Sequence, residues 1–144
     1  MNNVNVSLLA GVGRGGLIGC EGHLPKFENI EMAKSFQAMM NRTLEGGIAI
    51  MGGRTYRRSV EVGFDKRACK FETIVWDRGA QEFFRDPMDL LTNLAVDNKP
   101  IFIVGGEYTF RTFLPFVDHI ILSRVPLILD GNPIYMPDMF ATVQ

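Results

Sequence analysis

Two stretches decide the fold: Ile48–Thr55, which reads IAIMGGRT, and Ile101–Tyr108, which reads IFIVGGEY. In each, four apolar residues predict a short buried strand, and the glycine pair that follows opens a helix. Such a corner leaves unpaired backbone N–H groups at the positive end of the helix dipole. Two corners side by side at the carboxyl edge of a parallel sheet can hold the phosphates of a dinucleotide. Neither pair is G-x-G-x-x-G, and the glycines can equally serve close packing of strand and helix.

The composition predicts one α/β domain that spans residues 1–144. The formal net charge of -1 gives no basic field for nucleic acid. No apolar run is long enough to span a bilayer, and Met1 is not followed by an export signal, so we expect a cytoplasmic location. Cys20 and Cys69 lack metal-ligand spacing, which predicts free thiols and no metal site.

Strands and helices are expected to alternate along the chain. The predicted strands are Val4–Val12, Ile48–Met51, Phe71–Trp76, Ile101–Val104 and His119–Val125. The predicted helices are Ile30–Asn41, Thr55–Val60, a segment from the N-cap Asp86 to Val96, and Glu107–Leu114. Gly13–Asn29 is expected to be a long loop, and the segment after Pro126 to be irregular. The alternation predicts a doubly wound, mostly parallel sheet flanked by helices.

Several short motifs follow one another in a characteristic order. They are Ser7-Leu8-Leu9-Ala10-Gly11, Leu17-Ile18-Gly19, His23-Leu24-Pro25, Ile50-Met51-Gly52-Gly53-Arg54-Thr55-Tyr56, Ile103-Val104-Gly105-Gly106 and Phe113-Leu114-Pro115. In this order and spacing they resemble the dihydrofolate reductase family, with the match running from about Val6 to Asp138. The bacterial enzyme that reduces flavin precursors shares this fold and similar glycine motifs, and is the nearest competing resemblance.

The resemblance implies an NADPH-dependent oxidoreductase that reduces dihydrofolate to tetrahydrofolate in one-carbon metabolism. The cofactor would carry the hydride chemistry, and the protein would hold two flat rings face to face. The residues that the resemblance assigns to the cofactor are Gly11, Ile18, Gly53, Arg54, Thr55, Asp77, Arg78, Gly105, Gly106, Glu107, Tyr108 and Phe110. The resemblance implies that Arg78 lies near the 2′-phosphate of NADPH, where two arginines would favour NADPH over NADH. For Arg78, an ordinary solvated loop charge is an equal alternative.

The same resemblance assigns a set of residues to the dihydropterin substrate. They are Ala10, Leu24, Met32, Phe36, Lys70, Val104 and Ser123. The family places an acid four residues before a phenylalanine, where this chain has Met32 before Phe36. Either the preceding loop carries one extra residue and Ser35 replaces that phenylalanine, or Phe36 is in register and the acid is displaced. We expect Glu31 to be the catalytic acid, with Glu28 as second choice. Both can instead be ordinary acids of a first helical turn, which complement the helix dipole.

Other departures from the family pattern affect binding and assembly. Lys26 stands where the family has tryptophan, and Gly53 where it usually has a basic residue. Lys70 and Arg67 are the nearest candidates for holding a glutamate tail, and lysine lacks the planar fork of arginine. The family's last strands are expected to be lacking, which would leave a strand near Ile120 with an open edge for a homodimer or another partner. The alternatives are therefore a catalytically idle binding protein or a reductase of another heterocycle.

Overall fold

The computed structural model describes residues 4–20, 25–129 and 131–136. Its strands are β1 Val6–Val12, β2 Leu17–Cys20, β3 Ile48–Gly52, β4 Glu72–Trp76, β5 Ile101–Gly105, β6 His119–Arg124 and β7 Pro133–Tyr135. Its α-helices are α1 Ile30–Leu44, α2 Gly53–Glu61, α3 Arg78–Phe83, α4 Pro87–Leu94 and α5 Glu107–Phe113. Short 3₁₀ turns lie at 14–16, 66–68, 95–97 and 114–116.

The central sheet has five strands in the order β4-β3-β5-β1-β6. Each neighbouring pair is parallel, so all five carboxyl ends meet at one edge. The predicted mostly parallel sheet flanked by helices is confirmed. Because β3 and β5 are direct neighbours, the two glycine corners of the sequence stand side by side at that edge.

Both faces of the sheet carry apolar side chains, as expected of a doubly wound sheet. In β1, Leu8 and Leu9 are both fully buried but belong to different core clusters. The cluster containing Leu8 includes Phe113 of α5 and Leu90 of α4. The cluster containing Leu9 includes Leu44 of α1. The sheet is thus a buried layer between α1 on one side and α4 with α5 on the other.

Three elements lie in segments where the sequence predicts none. The first, β2, falls in the predicted loop. The second, β7, falls in the segment after Pro126 that was expected to be irregular, and it pairs antiparallel with β2. Short buried strands show no alternation, and long-range pairing leaves no local signal. The third is α3, whose N-cap Asp77 accepts a hydrogen bond from the Ala80 N–H at 3.0 Å. The predicted cap of α4 is confirmed, since the Asp86 side chain accepts from the Asp89 N–H at 2.9 Å.

Helix α1 differs from the prediction in its length and in the position of Met32. It runs three residues beyond the predicted end at Asn41, to Leu44. Met32, which the resemblance assigns to the substrate together with Phe36, is 46% exposed. Asn29 caps the helix by accepting the Met32 N–H at 2.9 Å, which fixes where the first turn begins.

Strand β6 lies at the edge of the sheet and pairs only with β1 among the described residues. Its apolar side chains Ile120, Ile121 and Leu122 are 36%, 39% and 45% exposed. An unpaired strand edge can pair with another chain, so self-association through β6 stays a prediction.

Within the described ranges, no helix is long and apolar enough to cross a membrane. Nor do three or more His, Cys, Asp or Glu side chains of that part of the chain come close enough together to hold a metal ion. Cys69 forms no disulfide, and burial, with a smaller contribution from the Asp65 carboxylate, raises the pKa of its thiol.

Candidate active site

A cleft of about 1600 Å³ opens at the carboxyl edge of the central sheet. Its floor consists of the ends of β1, β3, β4 and β5 with the loops that follow them, and its walls come from β2, α1 and α2. In a parallel sheet this edge is where a ligand meets residues from several strands at once. The position of the cleft therefore follows from the sheet topology.

The two glycine corners meet at the centre of the cleft. A Cβ added to Gly52 would lie 2.6 Å from the Thr109 hydroxyl oxygen, closer than a real Cβ can approach. Gly105 has φ of +124°, a conformation that side chains other than hydrogen rarely allow. A Cβ at Gly106 would lie 3.3 Å from the Thr55 hydroxyl oxygen. The corners thus form a cradle of backbone amides and hydroxyls without Cβ atoms between them.

Basic side chains surround the β3–β4 side of this cradle. The cleft is lined there by Arg54, Arg57, Arg58 and Arg78. Asp77 lies among them and caps α3 with its Oδ1. Four cations against two carboxylates, Asp77 and Glu61 of α2, leave an excess of positive charge on this side, which suits an anion. Arginine pairs with phosphate oxygens through two parallel hydrogen bonds.

Trp76 ends β4 beneath the cradle. Its ring packs edge-on against Phe113 with centroids 5.3 Å apart. The indole Nε1 is buried and has no hydrogen-bond partner among the described residues. Trp76 thus supports the cradle chiefly by packing.

The opposite end of the cleft is apolar and aromatic. Ala10, Ile18 and Val104 line it together with Phe36 of α1. The Phe36 ring lies 5.4 Å from the Phe27 ring, centroid to centroid, and close enough to Gly11 that a Cβ there would lie 2.7 Å from it. A flat ring can therefore be held between β1 and α1.

A family model described as dihydrofolate reductase matches residues 5–142. The chain belongs to the dihydrofolate reductase family. It is therefore an oxidoreductase of the dihydrofolate reductase type, and this family generally uses NADPH. A comparison with individual curated proteins gives no match.

The cleft brings together every residue that the sequence assigns to the cofactor of a dihydrofolate reductase. They are Gly11, Ile18, Gly53, Arg54, Thr55, Asp77, Arg78, Gly105, Gly106, Glu107, Tyr108 and Phe110. Three of the residues assigned to the substrate, Ala10, Phe36 and Val104, also line it. Leu24 and His23 lie outside the described residues.

Other predicted residues of the dihydrofolate reductase site do not reach the cleft. Glu31, Met32, Lys70 and Ser123 are absent from its lining, as is the second-choice acid Glu28. Lys70 is exposed two residues before the start of β4, at the amino end of the sheet, and its ammonium lies 4.0 Å from the Glu45 carboxylate. Ser123 is paired with Gly11 in β6 and is half-buried. A clamp for a glutamate tail is therefore not formed by Lys70 in this arrangement.

The position of Glu31 follows from the rotation of α1. The helix turns toward the cleft the face that carries Ala33, Phe36, Gln37 and Met40. At about 100° per residue, position 31 points about 180° away from position 40. The Glu31 carboxylate therefore lies on the far face of α1, and Met32 occupies the flank.

Several residues of the cleft have no counterpart in the predicted site. Thr109, Gln37, Met40, Trp76 and Arg57 line it without having been assigned a role. Thr109 follows Gly106 by three residues and lies in the first turn of α5. Its spacing from the glycine corner could therefore have predicted that its side chain faces the cleft. Gln37 and Met40 follow only from the rotation of α1, which the sequence does not define.

Proposed function

We propose that this chain reduces dihydrofolate to tetrahydrofolate with NADPH. The observation that carries the proposal is that one cleft contains both the amide cradle of the glycine corners and, next to it, a pocket for a flat ring. A dinucleotide laid across the cradle would bring its reactive ring to Ile18 and Ala10. A second ring would then be held against Phe36.

The residues of the cleft fit the proposed cofactor. The cradle has no Cβ atoms between Gly52, Gly105 and Gly106, so backbone N–H groups can approach a pyrophosphate directly. Thr55 and Arg54, at the start of α2, would bind phosphate oxygens. When bound, the nicotinamide supplies the hydride. The protein would fix the distance and angle between the two rings and limit the water around them.

The substrate end would act mainly through shape. Ala10, Val104 and Phe36 would wall a pterin ring. Because Glu31 lies on the far face of α1, the proton would reach the ring through water in the cleft and not from that carboxylate. Gln37 is the uncharged polar side chain that α1 offers at this end, and its amide can both donate and accept.

A second candidate is a reductase of another heterocycle. Among the described residues, the acids that line the cleft are Asp77, Glu107 and Glu61. Asp77 follows β4, Glu107 follows the β5 corner, and Glu61 lies on α2. The described substrate end therefore offers no carboxylate to pair with the amidine edge of a pterin. A ring with a neutral amide edge would match Gln37 better.

Two measurements on the full chain test the proposal. The first is the loss of NADPH absorbance with dihydrofolate present, and the second is the thermal shift with NADPH alone. Turnover supports dihydrofolate reduction. A thermal shift without turnover supports the second candidate, and the absence of both would leave an idle binding protein.

A further inference from the structure

Gly53 leaves an empty side-chain position at the start of α2, and Arg57 fills it. Positions 53 and 57 lie one helical turn apart on the same face. The guanidinium Nη1 of Arg57 lies 3.2 Å from the place where a Cβ of residue 53 would stand. A side chain that starts one turn later in the helix thus brings its cation back to the helix start.

The two glycines of this corner have different neighbours. Around the Cβ position of Gly52 lie the Thr109 hydroxyl and, at 3.7 and 3.8 Å, the Gly105 carbonyl oxygen and the Gly106 nitrogen. Around that of Gly53 lie Arg57 and, also at 3.2 Å, the Cβ of Asp77 after β4. The corner therefore has an amide side toward β5 and a cationic side toward β4. A dinucleotide whose pyrophosphate lies on the amide side would direct its adenosine toward the cationic side.

We infer that Arg57 binds the 2′-phosphate of the coenzyme, in place of a basic side chain at position 53, and so sets the preference for NADPH over NADH. This inference rests on the proposed function, because it concerns the same cleft. The guanidinium of Arg57 lines the cleft and offers a planar pair of donors to a phosphate dianion. NADH has a hydroxyl at that position and would gain little from the cation.

Arg57 is distinguished from its neighbours by position. Arg54, Arg58 and Arg78 also line the cleft, but only Arg57 places a guanidinium nitrogen at the empty side-chain position of Gly53. Arg54 would bind oxygens of the pyrophosphate, and Arg58 and Arg78 would add a general positive potential. Removing Arg57 should therefore change the selectivity between coenzymes, beyond a uniform loss of affinity.

The test is calorimetry on the full chain with three probes: NADPH, NADH and adenosine 2′,5′-bisphosphate. Arg57→Ala is expected to weaken NADPH and the bisphosphate by about 10- to 100-fold and to change NADH by less than about threefold. Arg42→Ala, an exposed charge on α1 outside the cleft, is the control of equal charge and is expected to bind all three probes as wild type does. Adding Gly53→Arg to Arg57→Ala is expected to restore most of the NADPH preference.

Two results would overturn the inference while leaving the proposed function intact. One is that the wild type binds NADPH and that Arg57→Ala binds it equally tightly. The other is an equal loss for NADPH and NADH with no rescue by Gly53→Arg, which would mean that Arg57 supports the fold. If wild type binds neither coenzyme, the proposed function itself fails, and the role of Arg57 fails with it.

Discussion

The two ends of the cleft differ in the groups that form them, backbone at one end and side chains at the other. At the cofactor end, the glycine corners present backbone groups, and their place is set by strand order alone. At the substrate end, side chains of α1 form the wall, and their place depends on the rotation of that helix. A change of one residue in helical register rotates a side chain by about 100° but leaves a strand end where it is. This explains why all assigned cofactor residues meet in the cleft, whereas Glu31 and Met32 do not.

The largest expected effect comes from filling the cradle. In Gly52→Ala, the new Cβ would lie 2.6 Å from the Thr109 hydroxyl oxygen, so the buried Thr109 side chain must move or the β3 and β5 corners must separate. We expect the free energy of unfolding to fall by about 1–3 kcal/mol, and NADPH binding to weaken by about 10- to 100-fold. Urea denaturation and calorimetry measure the two quantities.

Gly19→Ala is the matched control for stability. Its Cβ would meet its nearest described neighbour, a side-chain carbon of Pro25, at 3.5 Å, which is ordinary contact. We expect its free energy of unfolding to stay within about 0.5 kcal/mol of wild type. If Gly52→Ala proves as harmless as this control, the cofactor end is not built from close backbone approach, and the contrast between the two ends fails.

The charge of Asp77 provides a smaller test of the cofactor end. Asp77→Asn keeps the cap of α3, because asparagine caps a helix as well as aspartate does. It also removes a carboxylate from beside Gly53 and the cationic side of the corner. We expect NADPH affinity to rise by about two- to fivefold with NADH unchanged, and the gain to shrink at high salt. An equal gain for both coenzymes in calorimetry would place Asp77 away from the 2′-phosphate.

Thr73 of β4 separates stability from binding. Its hydroxyl oxygen is buried and has no partner among the described residues. Thr73→Val removes this group while keeping a β-branched side chain, and should raise the free energy of unfolding by about 0.5–1 kcal/mol. Thr73→Ser keeps the hydroxyl and should give no gain. Urea denaturation measures the stability of Thr73→Val, and calorimetry measures its NADPH affinity. If the affinity rises together with the stability, the affinity changes expected for Gly52→Ala and Asp77→Asn would reflect folding and not the cradle.

Much of the fold is predictable from local sequence, but less of the site. The apolar runs before Gly52 and Gly105 locate two adjacent strands, and Asp86 with Pro87 locates the start of α4. Strand β2 was not predictable, since its buried residues pair with β7 far along the chain. At the site, the backbone corners follow from the strands. The cation beside Gly53 belongs to Arg57, one helical turn further along the chain. A position-by-position comparison with the family pattern does not find it.

The smallest expected effect is the sharpest test of the substrate end. Because Glu31 lies on the far face of α1, Glu31→Gln should leave kcat/KM for dihydrofolate reduction within about twofold of wild type. Gln37→Ala, on the cleft face of the same helix, should raise KM by about five- to tenfold through the loss of a polar contact with the ring. The pair compares two polar groups six residues apart, which lie about 120° apart around the axis of α1. A large loss of kcat with Glu31→Gln and none with Gln37→Ala would mean that α1 turns its other face to the substrate. The catalytic acid implied by the family resemblance would then be correct, and the helix rotation given above would be wrong.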